Sequence, residues 1–419
     1  MIRNYLKIAF RNLAKNKINS FITISRLAIV IFLVLTITTC THENKHWKIN
    51  TAWESLIAQE RTQPGSITQV DNSVIAYMKK HNVPGLSIAI AKDDKLIYTK
   101  AYGFADVMTQ EKVTAKSLFR LASVSKPITA IAIMKLIQDG KLSLNSKIFG
   151  DSGILGNDYG PLPDDSNIKK ITIDHLLHHT SGWSRNTENP TEDDPTFIQP
   201  SLNSSQLIAW VFSHQTLKTP PGTAFAYTNF NFFLLGRVIE KVTGQRYADY
   251  VNSTILHPIG ITDMQIGVNS KAEKKPNEVV YYEEGNEPYT INLSRMDAGA
   301  GWIASATDLV KLIVVVDGLK QKKDILNSST LQTMLTPSTA NKEYACGWRL
   351  ATSGNLRNWY HFGELMGTAT LLAHTHLGYS WAILTNTGYQ NEQTHSDLDQ
   401  LLWRAINDPA TRWPDKDLF

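Results

Sequence analysis

Ser123-Val124-Ser125-Lys126 opens an apolar run that continues to Gln138, and it sets a hydroxyl and an amine three residues apart. On a helix that offset puts Ser123 and Lys126 on one face, close enough for an uncharged amine to take the hydroxyl proton. A serine alone has far too high a pKa to attack at neutral pH. Burial at the head of an apolar helix is expected to lower the lysine pKa, because desolvation disfavours the charged form. The helix N-terminus also offers free N–H groups to developing negative charge. The spacing by itself is weak: Ser166-Asn167-Ile168-Lys169 repeats it in a polar loop, where nothing would desolvate the amine.

Two further groups could complete such a site. Tyr227-Thr228-Asn229 follows Pro220-Pro221-Gly222 and precedes a new helix. A phenol relays protons when a cation lowers its pKa, and an amide beside it can bind a substrate carbonyl. Tyr250-Val251-Asn252 carries similar letters at a helix end, with no turn ahead of it. His361-Phe362-Gly363 opens a strand region, with Gly367 four residues on, whereas His376-Leu377-Gly378 falls in a hairpin turn. A glycine in a strand allows another backbone, such as a substrate's, to approach closely. Taken singly, Tyr227 reads as a buried tyrosine and His361 as structural.

Other reactive residue types carry less. His178-His179 and His374-x-His376 lack the third ligand of a zinc spacing and read as structural, so no metal and no cofactor is expected. Cys346, in Tyr344-Ala345-Cys346-Gly347-Trp348, has no histidine pattern near it and reads as a buried bystander.

The elements that must position these groups follow from periodicity. Ser73–Lys80 is an amphipathic helix ended by Asn82-Val83-Pro84-Gly85. Leu86–Ala91 and Leu96–Lys100 form a hairpin around Lys92-Asp93-Asp94-Lys95. Val124–Gln138 is apolar almost all round, the mark of a buried helix, stopped by Asp139-Gly140. Short helices follow at Ile173–His178, Ser205–Phe212 and Asn231–Val242, with a polar, proline-bearing loop at 184–203. Strands return at Gly367–Ala373 and Ser380–Asn386, and Asp397–Asn407 closes as a helix. Strands at both ends with helices between predict an α/β (α+β) fold. One antiparallel sheet is made from both termini and flanked by helices, with an all-helical insert at about 124–250.

Composition bounds the rest. The 419 residues are 42% apolar with 24 Gly, 16 Pro and 2 Cys, which excludes a disordered chain and a disulfide-stapled mini-fold. The formal charge of +4 sets 42 basic against 38 acidic side chains; six of the basic ones lie in residues 1–39 with no acid, leaving 36 against 38 for the remainder. The body of the protein is therefore not built to bind nucleic acid. Behind that basic stretch, Leu27–Thr39 runs uncharged to Cys40, the layout of a secretory h-region that leaves the N-terminus in the cytoplasm. Ile37-Thr38-Thr39-Cys40 resembles a bacterial lipoprotein processing site, and the alternatives are an uncleaved anchor and plain secretion. Each reading makes 1–40 a signal or membrane anchor, 41–69 a tether and 70–410 an exported, envelope-side domain.

The three motifs in this order, at 123, 227 and 361, resemble the serine β-lactamase and penicillin-binding protein superfamily, and within it the class C-like serine hydrolases and esterases. Supporting matches are Val83-Pro84-Gly85, Phe119-Arg120-Leu121-Ala122, Leu176 to Gly182, Leu234-Leu235-Gly236, Gly299-Ala300-Gly301-Trp302 and Gly347-Trp348. The resemblance implies that Ser123 is the acylated nucleophile and that Lys126 and Tyr227 remove its proton and later protonate the leaving group. It implies that Asn229, His361, Gly363 and Glu364 bind substrate, with the N–H groups of Ser123 and Glu364 as oxyanion hole. His361 stands where β-lactamases carry a lysine, so a β-lactam carboxylate should bind weakly to a group titrating near neutrality. Glu364 stands where a small residue is usual, adding bulk and negative charge near the oxyanion. The expected partner is a small ester or peptide-like molecule. The competing reading is an envelope binding protein of the same fold with little or no turnover.

Overall fold

The computed structural model describes residues 65–162, 167–184, 194–319, 321–389 and 391–419. The expected leader with Cys40, most of the tether and Ser166 lie outside these residues. Among the described residues no helix is long and apolar enough to cross a membrane.

The chain enters through helix α1, Thr68–Lys80, and strands β1, Gly85–Lys92, and β2, Lys95–Asp106. Asp93 and Asp94 make the two-residue turn between them, both in left-handed backbone with φ +48° and +65°. A turn of that hand matches the twist of paired strands, and short aspartates tolerate it. β2 runs six residues past the expected Lys100, to pair at Phe104 and Asp106 with β3, Glu111–Lys112. After β4, Phe119–Arg120, come helices α2, Ser125–Gln138; α3, Ile173–Leu177; α4, Ser204–His214; and α5, Asn229–Thr243. Then follow β5, Gln265–Ile266, β6, Trp302–Ala304, and helix α6, Ala306–Ile313. Strands β7, Arg349–Ser353, β8, Leu356–Leu365, β9, Thr368–His374, and β10, Tyr379–Thr385, precede helix α7, Glu392–Asn407.

Seven strands form one antiparallel sheet in the order β3-β2-β1-β10-β9-β8-β7, so N- and C-terminal segments meet at its centre, where Leu86 pairs with Thr385 and Lys92 with Tyr379. β1 is buried on both faces. Leu86, Ile88 and Ile90 pack into the layer of α1 and α7, while Ala89 and Ala91 face the other layer. The alanines leave room for α6 to lie against β1 and β10. The helices from α2 to α5 share that second, larger core. A small sheet, β4-β6-β5, closes the helical excursion by pairing Arg120 with Ile303.

Two local readings are corrected. His361 lies in the middle of β8 rather than at the start of a strand, because Leu356–Tyr360 pair with β7 before it. Helix α7 begins at Glu392, five residues before the expected Asp397, because the Asn391 side chain caps it by accepting the Thr394 N–H.

Candidate active site

Ser123 sits in a single 3-10 turn, Ala122–Val124, that feeds into α2. Ala122 just before it holds φ +48°, left-handed backbone that costs an alanine about 1–2 kcal/mol. Neighbours hold the turn in place. The Thr368 hydroxyl donates to the Arg120 carbonyl at 3.0 Å and the Thr370 hydroxyl to that of Leu121 at 2.9 Å. The strain is stored directly beside the Ser123 hydroxyl.

Three side chains converge there. Tyr227 Oη donates to Ser123 Oγ at 2.8 Å, and Lys126 Nζ lies 3.1 Å from the same oxygen. Lys126 is fully buried, and its amine also donates to Asn229 Oδ1 at 2.6 Å and to the Gly299 carbonyl at 2.9 Å. Those two acceptors take two N–H bonds, which aims the third tetrahedral position of the nitrogen at Ser123. In an uncharged amine that position is a lone pair, ready to accept the serine proton. The Gly299 carbonyl is available because 297–301 forms one wide π-helical turn. That turn packs so tightly on α5 that a Cβ at Gly236 would lie 2.8 Å from Ala298 Cβ.

Asn229 is set by a residue the sequence reading passed over inside the 184–203 loop. Asp194 is fully buried, and its Oδ2 accepts the Asn229 N–H at 2.6 Å and the Thr228 hydroxyl at 2.9 Å. Its Oδ1 accepts the Thr196 N–H and hydroxyl, at 3.0 and 2.6 Å. One carboxylate thus anchors the start of α5 and the head of a short helix, Pro195–Ile198. The signal was present: an aspartate directly before a proline is an N-cap followed by the residue favoured at the first helical position.

The opposite wall is β8. β7 pairs only with residues 356–360, so the outer edge of 361–365 faces the cleft while its inner edge pairs with β9. A Cβ at Gly363 would lie 2.1 Å from the Leu121 carbonyl oxygen and 2.2 Å from Thr370 Oγ1, so only glycine lets β8 close on the turn carrying Ser123. Gly363 therefore spaces the wall rather than lining it. The cleft between, about 670 Å³, is lined by Ser123, Tyr227, Asn229, His361 and Glu364, with Phe197, Ile291, Leu365 and Met366 as an apolar side and Arg349 as a cation. That volume suits a small organic substrate.

A family model described as Beta-lactamase matches residues 70–402. The chain belongs to the β-lactamase family. Among curated proteins, this β-lactamase-family chain is 27% identical over 326 residues to Protein flp of Staphylococcus aureus (strain MRSA252), a match that covers 76% of the chain and 62% of that protein. It is 25% identical to Penicillin-binding protein 4* of Bacillus subtilis (strain 168), covering 70% and 66%. The chain thus spans about three-fifths of the length of the staphylococcal relative. Two solved structures share the fold. The octameric penicillin-binding protein homologue from Pyrococcus abyssi has a TM-score of 0.65 at 23% identity, covering 80% of this chain and 77% of its own. The D-amino acid amidase from Ochrobactrum anthropi SV3 complexed with D-phenylalanine has a TM-score of 0.63 at 21% identity, covering 81% and 99%.

Within this β-lactamase-family site, three expectations change. His361 does not titrate near neutrality: burial foremost, then the charge of Arg349, hold it well below the usual imidazole range, so it is uncharged at neutral pH. Glu364 lines the cleft, but strand alternation sends its side chain to the face of Phe362, opposite His361 and Gly363, where it lies near Tyr389. Cys346 is buried as expected, yet it has a histidine after all: its sulfur lies 3.6 Å from His178 Nε2, whose Nδ1 is 3.0 Å from Asp174 Oδ1. No local spacing could reveal a partner 168 positions away. The remaining histidine pair is structural in position, His374 meeting Ser380 Oγ at 2.9 Å and His376 meeting Asn358 Oδ1 at 2.8 Å.

Proposed function

We propose that this protein is a serine hydrolase that cleaves an ester or peptide-like amide through an acyl-enzyme on Ser123. The observation that carries the reading is the meeting of Tyr227 Oη and Lys126 Nζ on one serine oxygen, with the amine's other N–H bonds already directed elsewhere. Lys126 takes the proton of the Ser123 hydroxyl as Oγ attacks the carbonyl carbon. The N–H groups of Ser123 and Glu364 meet the developing oxyanion, each such donor contributing typically about 3–4 kcal/mol. Tyr227 gives its proton to the leaving group as the scissile bond breaks, and the phenol recovers one from Lys126. Water then attacks the acyl carbon by the same relay in reverse.

The walls favour esters, D-amino-acid amides or short peptides over β-lactams. An uncharged His361 offers no cation to a β-lactam carboxylate, and the cation that lines the cleft is Arg349, on β7 at its rim. The second reading, a binding protein with little turnover, is favoured by Glu364, a bulky and acidic residue among those lining the same cleft. The basic leader supports placing the domain outside the cytoplasm, held to the membrane through residues 1–40.

The test is a panel of p-nitrophenyl esters, D-aminoacyl amides and nitrocefin, run on the wild type and on Ser123→Ala. The hydrolase reading expects turnover of an ester or amide that Ser123→Ala abolishes while it stays folded. Absence of hydrolysis and of any covalent adduct across the panel would favour the binder, and nitrocefin as the best substrate would overturn the preference.

A further inference from the structure

A buried chain of hydrogen bonds joins the two walls of the cleft through groups that have no part in the proposed proton relay. Its directions follow from donor and acceptor chemistry. At one end the Thr228 N–H, at 3.4 Å, and Asn231 Nδ2, at 3.3 Å, both point at His179 Nδ1. A backbone N–H can only donate, and Asn231 is oriented by the Ser181 hydroxyl, which donates to Asn231 Oδ1 at 2.7 Å. His179 Nδ1 is therefore the acceptor and its proton sits on Nε2, 3.2 Å from the Tyr344 oxygen. Tyr344 accepts that proton's bond and has its own to give to His361 Nε2, also at 3.2 Å. The far end agrees, because His361 Nδ1 lies 2.6 Å from the Phe362 carbonyl oxygen, which can only accept. Both ends thus demand the same polarity. A proton on His361 Nε2 would set a donor against the Tyr344 O–H, with His179 unable to reverse.

We infer that Tyr344 is a specificity-determining positioning residue: its hydroxyl fixes the buried, uncharged His361 in the Nδ1–H tautomer, so this wall of the cleft offers neither a cation nor an Nε2–H donor to a substrate carboxylate. This rests on the hydrolase reading above. Ser181, Thr228, Asn231, His179, Tyr344 and His361 are each at most 2% exposed, so bulk water does not compete for the bonds among them. The groups facing His361 are Tyr344, the Tyr227 ring at 6.3 Å between centroids, Arg349 from β7, Lys126 from α2, and the apolar Leu372 that pairs with it on β9. None is an anion that would stabilise an imidazolium. The same chain seats the phenol: His179, at φ +54°, packs its ring against that of Tyr227, tilted by 39° with centroids 4.3 Å apart.

The test uses the full chain labelled with 15N at histidine, the His361 signals being identified by their loss in His361→Gln. The wild type should show His361 with a proton on Nδ1 alone, unchanged from about pH 5 to about pH 8. Tyr344→Phe keeps the ring and removes the donor. His361, still buried, should then show a share of the Nε2–H tautomer, and kcat/KM for a phenyl ester with a carboxylate on the leaving group should rise severalfold relative to the neutral ester. A wild-type His361 that carries its proton on Nε2, or is charged at neutral pH, overturns the inference even if the variant does not fold. So does a Tyr344→Phe enzyme with an unchanged His361 spectrum, or one whose two esters slow equally at every pH. The tautomer is read without turnover, so a lack of esterase activity would count against the hydrolase and not against this assignment.

Discussion

Lys126 and His361 are equally buried on facing walls of one cleft, yet their surroundings are opposite. The amine on the helical wall meets three oxygens: Ser123 Oγ, Asn229 Oδ1 and the Gly299 carbonyl. The imidazole on the strand wall meets one fixed acceptor and one fixed donor, which leave it no room for a second proton. Burial alone therefore does not mark a reacting group. What separates the two is whether the surrounding dipoles leave a lone pair aimed at a proton that must move. On the proposed function, the helical wall moves protons and the strand wall sorts substrates.

The comparison is broken most severely on the helical wall. Ser123→Ala is expected to abolish ester turnover and labelling by fluorophosphonate probes, since it removes the oxygen on which the Lys126 amine and the Tyr227 phenol converge. Lys126→Met should lower kcat by at least about a thousandfold with KM little changed, because the amine acts on the proton in flight. Tyr227→Phe should cost about a hundred- to a thousandfold, most for poor leaving groups that need protonation, as a series of phenyl esters of graded leaving-group pKa would show.

Changes to the strand wall should sharpen it instead. Arg349→Ala is expected to raise KM about tenfold for substrates carrying a carboxylate and to leave neutral esters alone. A loss shared by both substrates would return Arg349 to a structural role. Asp194→Ala tests the anchor behind the helical wall. It strands the Asn229 and Thr196 N–H groups in a buried site, which should lower stability by about 3 kcal/mol in denaturant melts.

The smallest expected effect concerns His178. Burial works against its charge, but hydrogen bonds to Asp174 and Cys346 raise it to about 11. A histidine raised above its unfolded value near 6.5 contributes stability that is complete below that value and is lost as pH rises toward the folded one. Stability should therefore decline from about pH 7 upward, and His178→Gln should flatten that decline.

Legibility in the sequence followed the range of the contacts. Ser123 and Lys126 are three residues apart on one helix, and Tyr227 and Asn229 bracket a helix start, so local spacing exposed them. The apolar run of α2 and the Asp-Asp hairpin were equally local. Arg349 and Tyr344 were missed because only strand pairing and the crossing of distant loops bring them to the cleft. The extent of β8 was hidden because its buried positions before Leu365 are Trp359, His361 and Gly363, which do not read as an apolar alternation. Asp194 was readable as a cap, but nothing local told that it also holds the start of α5.

The central claim, that Lys126 draws the proton from Ser123 as an acyl-enzyme forms, is tested most directly by rapid-quench mass spectrometry with an activated ester. The account predicts one acyl group per chain, mapped to the peptide containing Ser123, forming at least about a thousandfold more slowly in Lys126→Met. An adduct on any other residue, or a burst in Lys126→Met as fast as in the wild type, would contradict it.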